Sequence, residues 1–234
     1  ITAASPGISR AYAEAYQLKE PTVVLNVFPR EDAPSQPTAQ GAARPSPSLY
    51  WFSQTIGPDR GLETVIEAIS LSRSRPYLYL RGYPSQGYVQ QLKALAEKYG
   101  VADQLHFLAP ASPGEMIKLA GEYDVGIATE VGTTKNRDIC LTNKIFSYML
   151  AGIPVLASDT AAQSALAVES AEAVFVYPQS DASTLAGQMD KLLSSEGRLA
   201  SARQSAWQYG QQRFNWDRER RPFLDVIGSV LPPA

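Results

Sequence analysis

Between Thr142 and Asp159 the chain reads TNKIFSYMLAGIPVLASD, and that run leaves little choice about its surroundings. Thr142 and Asn143 are good helix N-caps, and Gly152 stands where a helix takes a left-handed residue just past its end. Pro154 forbids continuation, and Val155-Leu156-Ala157 is a strand short and apolar enough for the middle of a parallel sheet. Ile145, Phe146, Tyr148, Met149 and Leu150 leave the helix almost no wet face, so it must be packed nearly all round. The exceptions, Asn143, Lys144 and Ser147, are spaced to share one side at or near the helix N-terminus. Free N–H groups, a positive dipole end and a lysine make an anion site, and phosphate is the common biological anion that fits. Spacing alone leaves a second reading open, in which the helix is a capped core element and Lys144 only runs out to water.

The rest of the chain supplies the sheet. Strands are predicted at Leu49-Tyr50-Trp51-Phe52 and over 77–81, 104–108, 123–128 and 173–177. Helices are predicted over 61–72, where Leu62, Val65, Ile66 and Ile69 keep amphipathic spacing, and over 89–99, 161–169, 182–193, 197–211 and 216–230. Ser112 and Glu115 form a capping box with Pro113 in the first turn of another. Strands alternating with helices mean an α/β fold, a Rossmann-like parallel sheet covered on both faces. Ligands of such sheets sit at the carboxyl ends of the strands, so the loops to watch are 53–61, 82–87, 109–113, 129–143 and 158–162. Ahead of this, 9–17 reads as a helix and 22–27 as a strand. Residues 29–48, rich in Pro, Ala and Ser without an apolar period, read as an irregular, mobile connector.

Bulk properties narrow the function. A net charge of −2 gives no electrostatic case for nucleic acid or an anionic membrane. The single cysteine, Cys140, excludes an internal disulfide and suits a reducing, cytoplasmic setting. The single histidine, His106, argues against a histidine-rich metal site or a Ser-His-Asp triad; inside a strand it reads as a core residue, and no metal is expected. No apolar run reaches the roughly 20 residues a membrane span needs. The chain begins at Ile1 without a signal pattern, and we expect it to be a piece of something longer.

Two loops carry candidate chemistry. SQTIGPDRG (53–61) puts Arg60 at a helix start, where the dipole disfavours a cation; a bound anion resolves that conflict, and so does pairing with Asp59 or Glu63. TEVGTTKNRDICLTN (129–143) is long for a strand-to-helix link. Its Lys135 and Arg137, with Lys144, can neutralise a diphosphate, while Glu130 or Asp138 can accept hydrogen bonds from ribose or sugar hydroxyls. Tyr50, Trp51 and Phe52 read as core, and Cys140 as packing, not a nucleophile.

NKIFSYMLAGIPVLASD resembles the donor-binding helix and following strand of GT-B-fold glycosyltransferases, in particular retaining enzymes similar to glycosyltransferase family 4. WFSQTIGPDRGLETVIEAI, LHFLAPASPGEMIKLAGEYDVGIAT and RFNWDRERRPFLDVI resemble, in the same order, the opening of the C-terminal domain, the stretch to the acidic loop and the terminal crossing helix. The resemblance implies three parts: 1–28 as the remnant of an N-terminal domain with the hinge strand, 29–48 as connector, and 49–234 as the nucleotide-sugar-binding domain. It implies a nucleotide-diphosphate sugar as donor, no cofactor besides, and an acceptor held by a missing N-terminal domain through which any membrane contact would run. Arg60 and Gly61 match the family's Lys/Arg-Gly position, and Gln54 stands nearest its replaced arginine. Thr142, Asn143 and Lys144 would approach the phosphates. The family's two glutamates, eight positions apart, fall on Ile139 and Ser147, which leaves Glu130 or Asp138 for the hydroxyls. An isolated piece of such an enzyme is expected to bind donor and turn over nothing. The competing readings are a sugar-nucleotide 2-epimerase on the same architecture and a degenerate domain kept for assembly.

Overall fold

The computed structural model describes residues 1–37 and 47–231. Its first elements are β1 (Thr2–Ala3), α1 (Pro6–Tyr16) and β2 (Thr22–Val23), with β1 and β2 paired in parallel. The expected strand over 22–27 is therefore only two residues long. Leu25, just beyond it, gives its N–H to a carboxylate oxygen of Glu219 at 2.7 Å instead of to a neighbouring strand.

Then the α/β pattern runs as β3 (Ser48–Ile56), α2 (Leu62–Leu71), β4 (Tyr77–Pro84), α3 (Tyr88–Lys98), β5 (Leu105–Leu108), α4 (Met116–Ala120) and β6 (Val125–Ala128). It continues with α5 (Lys135–Ile139), α6 (Asn143–Ala151), β7 (Val155–Ser158), α7 (Ala161–Glu169), β8 (Val174–Tyr177), α8 (Ala182–Leu193), α9 (Glu196–Gln212) and α10 (Trp216–Val230). Six strands pair in the order β5-β4-β3-β6-β7-β8, all parallel. From β3 the chain winds outward through β4 to β5, then returns beside β3 and winds the other way. The reversal opens a crevice between the carboxyl ends of β3 and β6.

Alternation along β3 explains how the sheet is covered. Trp51 packs on one face with Leu62, Val65 and Ile66 of α2 and Leu185 of α8. Tyr50 and Phe52 pack on the other with Phe146, Tyr148 and Met149 of α6. All three aromatics are core, as read. His106 is half-buried and stacks on Tyr79 at 4.7 Å between ring centres, a packing role. Helix α6 is buried along its length and ends at Gly152 (φ 76°), as its sequence requires. It lies so close to α9 that a Cβ on Gly210 would come within 2.6 Å of Leu150 Cα.

A polar lock fixes α9 to the sheet. Buried Asp124, just ahead of β6, accepts from the Ser48 N–H at 2.8 Å and from its hydroxyl at 2.9 Å. Its other oxygen meets Arg203 of α9 at 2.5 Å. One carboxylate thus joins the starts of two central strands to a helix behind them.

Three expectations change. The loop expected at 53–61 begins as strand, because β3 runs to Ile56 and pairs with β4 to Pro84 across an irregularity after Phe52. Loop 129–143 contains α5, a single turn capped by Thr134, too short to show a period. The connector is not loose where it is described. Just ahead of it Phe28 O accepts from Trp216 N at 2.8 Å; within it Arg30–Asp32 forms a 3₁₀ turn, and Pro34 O accepts from the Trp207 indole at 3.1 Å. Residues 38–46 of that connector lie outside the described residues.

Gly210→Ala should lower stability by about 1–3 kcal/mol, since a methyl there forces α6 and α9 apart. Chemical denaturation against the parent chain measures it, and an unchanged midpoint would show that the helices do not meet as described.

Candidate functional site

At the strand reversal the loops after β3 and β6 are stitched together. Gly61, at φ 67°, is the first cap of α2, and a Cβ on it would sit 2.8 Å from Thr129 O. Only glycine permits both that conformation and that approach. The Thr129 hydroxyl donates to the Arg60 carbonyl, and Arg137 of α5 reaches across to the Asp59 carbonyl at 2.8 Å. A cleft of about 570 Å³ opens beside these contacts.

Gln54, Arg60, Glu130, Thr142, Asn143 and Lys144 all line it. Five of them come from the two sequence-nominated loops, and Lys144 is on the helix they lead into. Arg60 is partly exposed, and no carboxylate lies within ion-pairing distance of its guanidinium among the described residues. Lys144 is 6% exposed and Glu130 8%, and they pair at 3.0 Å. The lysine ammonium also sits 4.8 Å over the Trp51 ring. Lys144 first, and then Arg60 and Arg137 at longer range, hold the Glu130 carboxyl below the usual carboxylate range against the opposing effect of burial.

The tip of α6 is open. Thr142 is its N-cap, yet its hydroxyl does not close onto the first turn and is buried without a hydrogen-bond partner. A helix start whose cap does not satisfy its own N–H groups presents them to the cleft.

Five nominated residues lie elsewhere. Asp138 accepts from the Ala161 N–H at 2.9 Å, holding α5 to the start of α7. Ser147 is fully buried and donates to the Asn143 carbonyl at 2.9 Å. Neither lines the cleft, and nor do Gly61, Lys135 and Arg137. Tyr83, in the watched loop 82–87, also lines it, but sequence reasoning missed Phe52, Arg81 and Met116. Arg81 looked like an ordinary strand residue, but its guanidinium donates to the Tyr50 hydroxyl at 2.8 Å and the Ala109 carbonyl at 2.7 Å. The signal that could have found it is a lone arginine at the carboxyl end of an apolar strand.

Residues 46–195 match the family model described as Glycosyl transferases group 1. The chain belongs to that family. Its fold is that of solved GT-B glycosyltransferases. HepE of Anabaena, in complex with UDP and glucose, is similar at TM-score 0.83 and 18% identity over 98% of this chain and 63% of its own. Sucrose-phosphate synthase of Thermosynechococcus elongatus aligns at TM-score 0.81 and 15% identity, over 98% and 57%. TarM of S. aureus, as a point mutant in complex with fondaparinux, α-GlcNAc-glycerol and UDP, aligns at TM-score 0.76 and 11% identity, over 96% and 43%. This group 1 glycosyltransferase chain therefore spans less than two thirds of the length of those neighbours. No curated protein matches its sequence significantly. Among the described residues, no helix is long and apolar enough to cross a membrane.

The ion pair sets a pH dependence. A carboxyl with a depressed folded pKa adds stability that is complete above its unfolded value, about 4.3, and is lost as pH falls through the folded value. Glu130→Gln should be less stable than the parent at pH 7 and should lose less on acidification below about pH 5. Thermal melts across that window check it, and parallel curves for the two proteins would contradict the pairing.

Proposed function

We propose that the cleft receives the diphosphate of a nucleotide-sugar donor and that the chain is the donor side of a glycosyltransferase. The observation that carries this reading is the convergence of Arg60, Lys144 and the open tip of α6 on one cleft, at the point where the strand order reverses. Three kinds of positive group, a guanidinium, an ammonium and a helix N-terminus, can meet the charge that builds on a leaving diphosphate. The UDP, UDP-glucose and UDP-plus-glucose complexes of HepE support the same ligand class.

In this account the residues divide the work. Arg60, which has no ion-pair partner among the described residues, is the group an incoming diphosphate meets first. Lys144 is already engaged, so the anion must share it with Glu130 or draw it away. Glu130, once its lysine leans toward phosphate, has oxygens to offer a sugar or ribose hydroxyl. Asn143 and Gln54 supply uncharged hydrogen-bonding partners at the rim, with the buried Thr142 hydroxyl beneath them. The acceptor is assigned to a further domain, and transfer with retention of anomeric configuration follows the family-4 resemblance. We expect the chain alone to bind donor and to leave it intact.

One observation favours a second reading, a domain that has lost catalysis. The position where the resembling enzymes carry a ribose-binding glutamate is Ser147, sealed in the core and turned onto its own helix. Nucleotide binding separates the two readings.

Isothermal titration with UDP, GDP and ADP should give one nucleotide with saturable binding. Arg60→Ala should weaken it about ten-fold or more, the equivalent of one charge-assisted contact, with little change in melting temperature. Absence of binding by all three at millimolar levels would refute the donor assignment and leave the degenerate domain.

A further inference from the structure

A second cavity, of about 630 Å³, lies on the other side of the segment joining α5 to α6. Leu141 faces this cavity and Thr142 faces the donor cleft, and the two linings share no residue. We propose that it binds a single-chain amphiphile with an anionic headgroup.

The floor is apolar: Val23, Leu25, Leu141, Leu166 and Phe214. One wall is α7, where Ala161, Ala162 and Ala165 line the cavity beside Leu166 and, toward the rim, Glu169. Small residues along one helix face leave a slot beside the backbone, and the floor offers it no hydrogen-bonding groups. A sugar or nucleotide would lose its hydration there without compensation, whereas a hydrocarbon chain would not.

The charges at the rim decide the headgroup. Two carboxylates are present, and both are spoken for: Arg213 binds Glu169 at 2.9 Å and Glu219 at 3.1 Å, and Glu219 also accepts from the Leu25 N–H. Two further arginines line the cavity and are exposed, Arg10 of α1 and Arg218 of α10. Arg218 donates through Nε to the Gln212 carbonyl at 3.0 Å, and neither arginine has a carboxylate partner among the described residues. Three arginines against two glutamates leave one positive charge in surplus, beside an apolar slot. Arginine forks suit a phosphate or carboxylate head, and the volume is that of an ordinary small-molecule site. The two free arginines come from opposite ends of the chain, so a head bridging them would also tie α1 to α10.

This inference does not depend on the donor cleft. The test titrates the 234-residue chain with dodecyl phosphate below its micelle concentration, with dodecyl maltoside and inorganic phosphate as parallel arms. We expect saturable one-site binding of dodecyl phosphate, roughly ten-fold tighter than dodecyl maltoside, and none of inorganic phosphate. Ala165→Trp, which fills the slot, and Arg10→Glu, which reverses a rim charge, should each weaken it about ten-fold or more at unchanged melting temperature. Equal affinity for the neutral and anionic amphiphiles, saturable binding of inorganic phosphate, or no saturation at all would overturn the proposal. Should Ala165→Trp fail to fold, exposed Arg10→Glu decides alone, and undiminished binding by it would overturn the charge assignment. Nucleotide titration of the same proteins reports separately on the donor cleft.

Discussion

Lys144 and Glu130, both withdrawn from water, face each other at 3.0 Å where the strand order reverses. Each would be costly to bury alone, and the pair is tolerable because Trp51 supports the ammonium from beneath and Arg60 and Arg137 add to the field on the carboxylate. Burying such a pair adds little to stability when compared with apolar residues of the same size. Its value lies in holding a lysine fixed at the mouth of a helix, where a flexible surface lysine would have to be ordered each time an anion arrived. The rest of the site takes its shape from this constraint: α6 must be buried, its tip must stay open, and the loop carrying Glu130 must cross in front of it.

The scaffold meets those demands through a few close contacts. Gly61 lets the loop after β3 press against Thr129, Gly210 lets α9 lie on α6, and Asp124 ties Ser48 and Arg203 together behind the sheet. None of these touches the cleft. Each fixes one wall of it, so the floor between β3 and β6 keeps its form without a ligand. Such fixed walls suit the proposed diphosphate site, where charges would be oriented in advance.

Much of this was legible in the sequence. Strand–helix alternation and the stops at Gly152 and Pro154 specify the sheet, and the nominated loops do come together at its carboxyl edge. What could not be read was which polar groups had other partners. Asp138 and Glu130 look equivalent in a charged loop, but one caps α7 and the other pairs with Lys144. Arg81 has no local signal, because its role depends on Tyr50 of the neighbouring strand and on the Ala109 carbonyl. The five residues of α5 show no period, and its existence depends on a Thr134 cap and on tertiary contacts. The pinned start of the connector is likewise invisible, since Trp207 and Trp216 reach it from the far end of the chain.

The most direct measurement of the donor account is amide NMR of the labelled chain titrated with UDP. The account predicts the largest shift changes at Thr142, Asn143, Lys144 and around Arg60, with little change along α7 and α10. Shifts concentrated on α7 and α10, or none at saturating nucleotide, would contradict it.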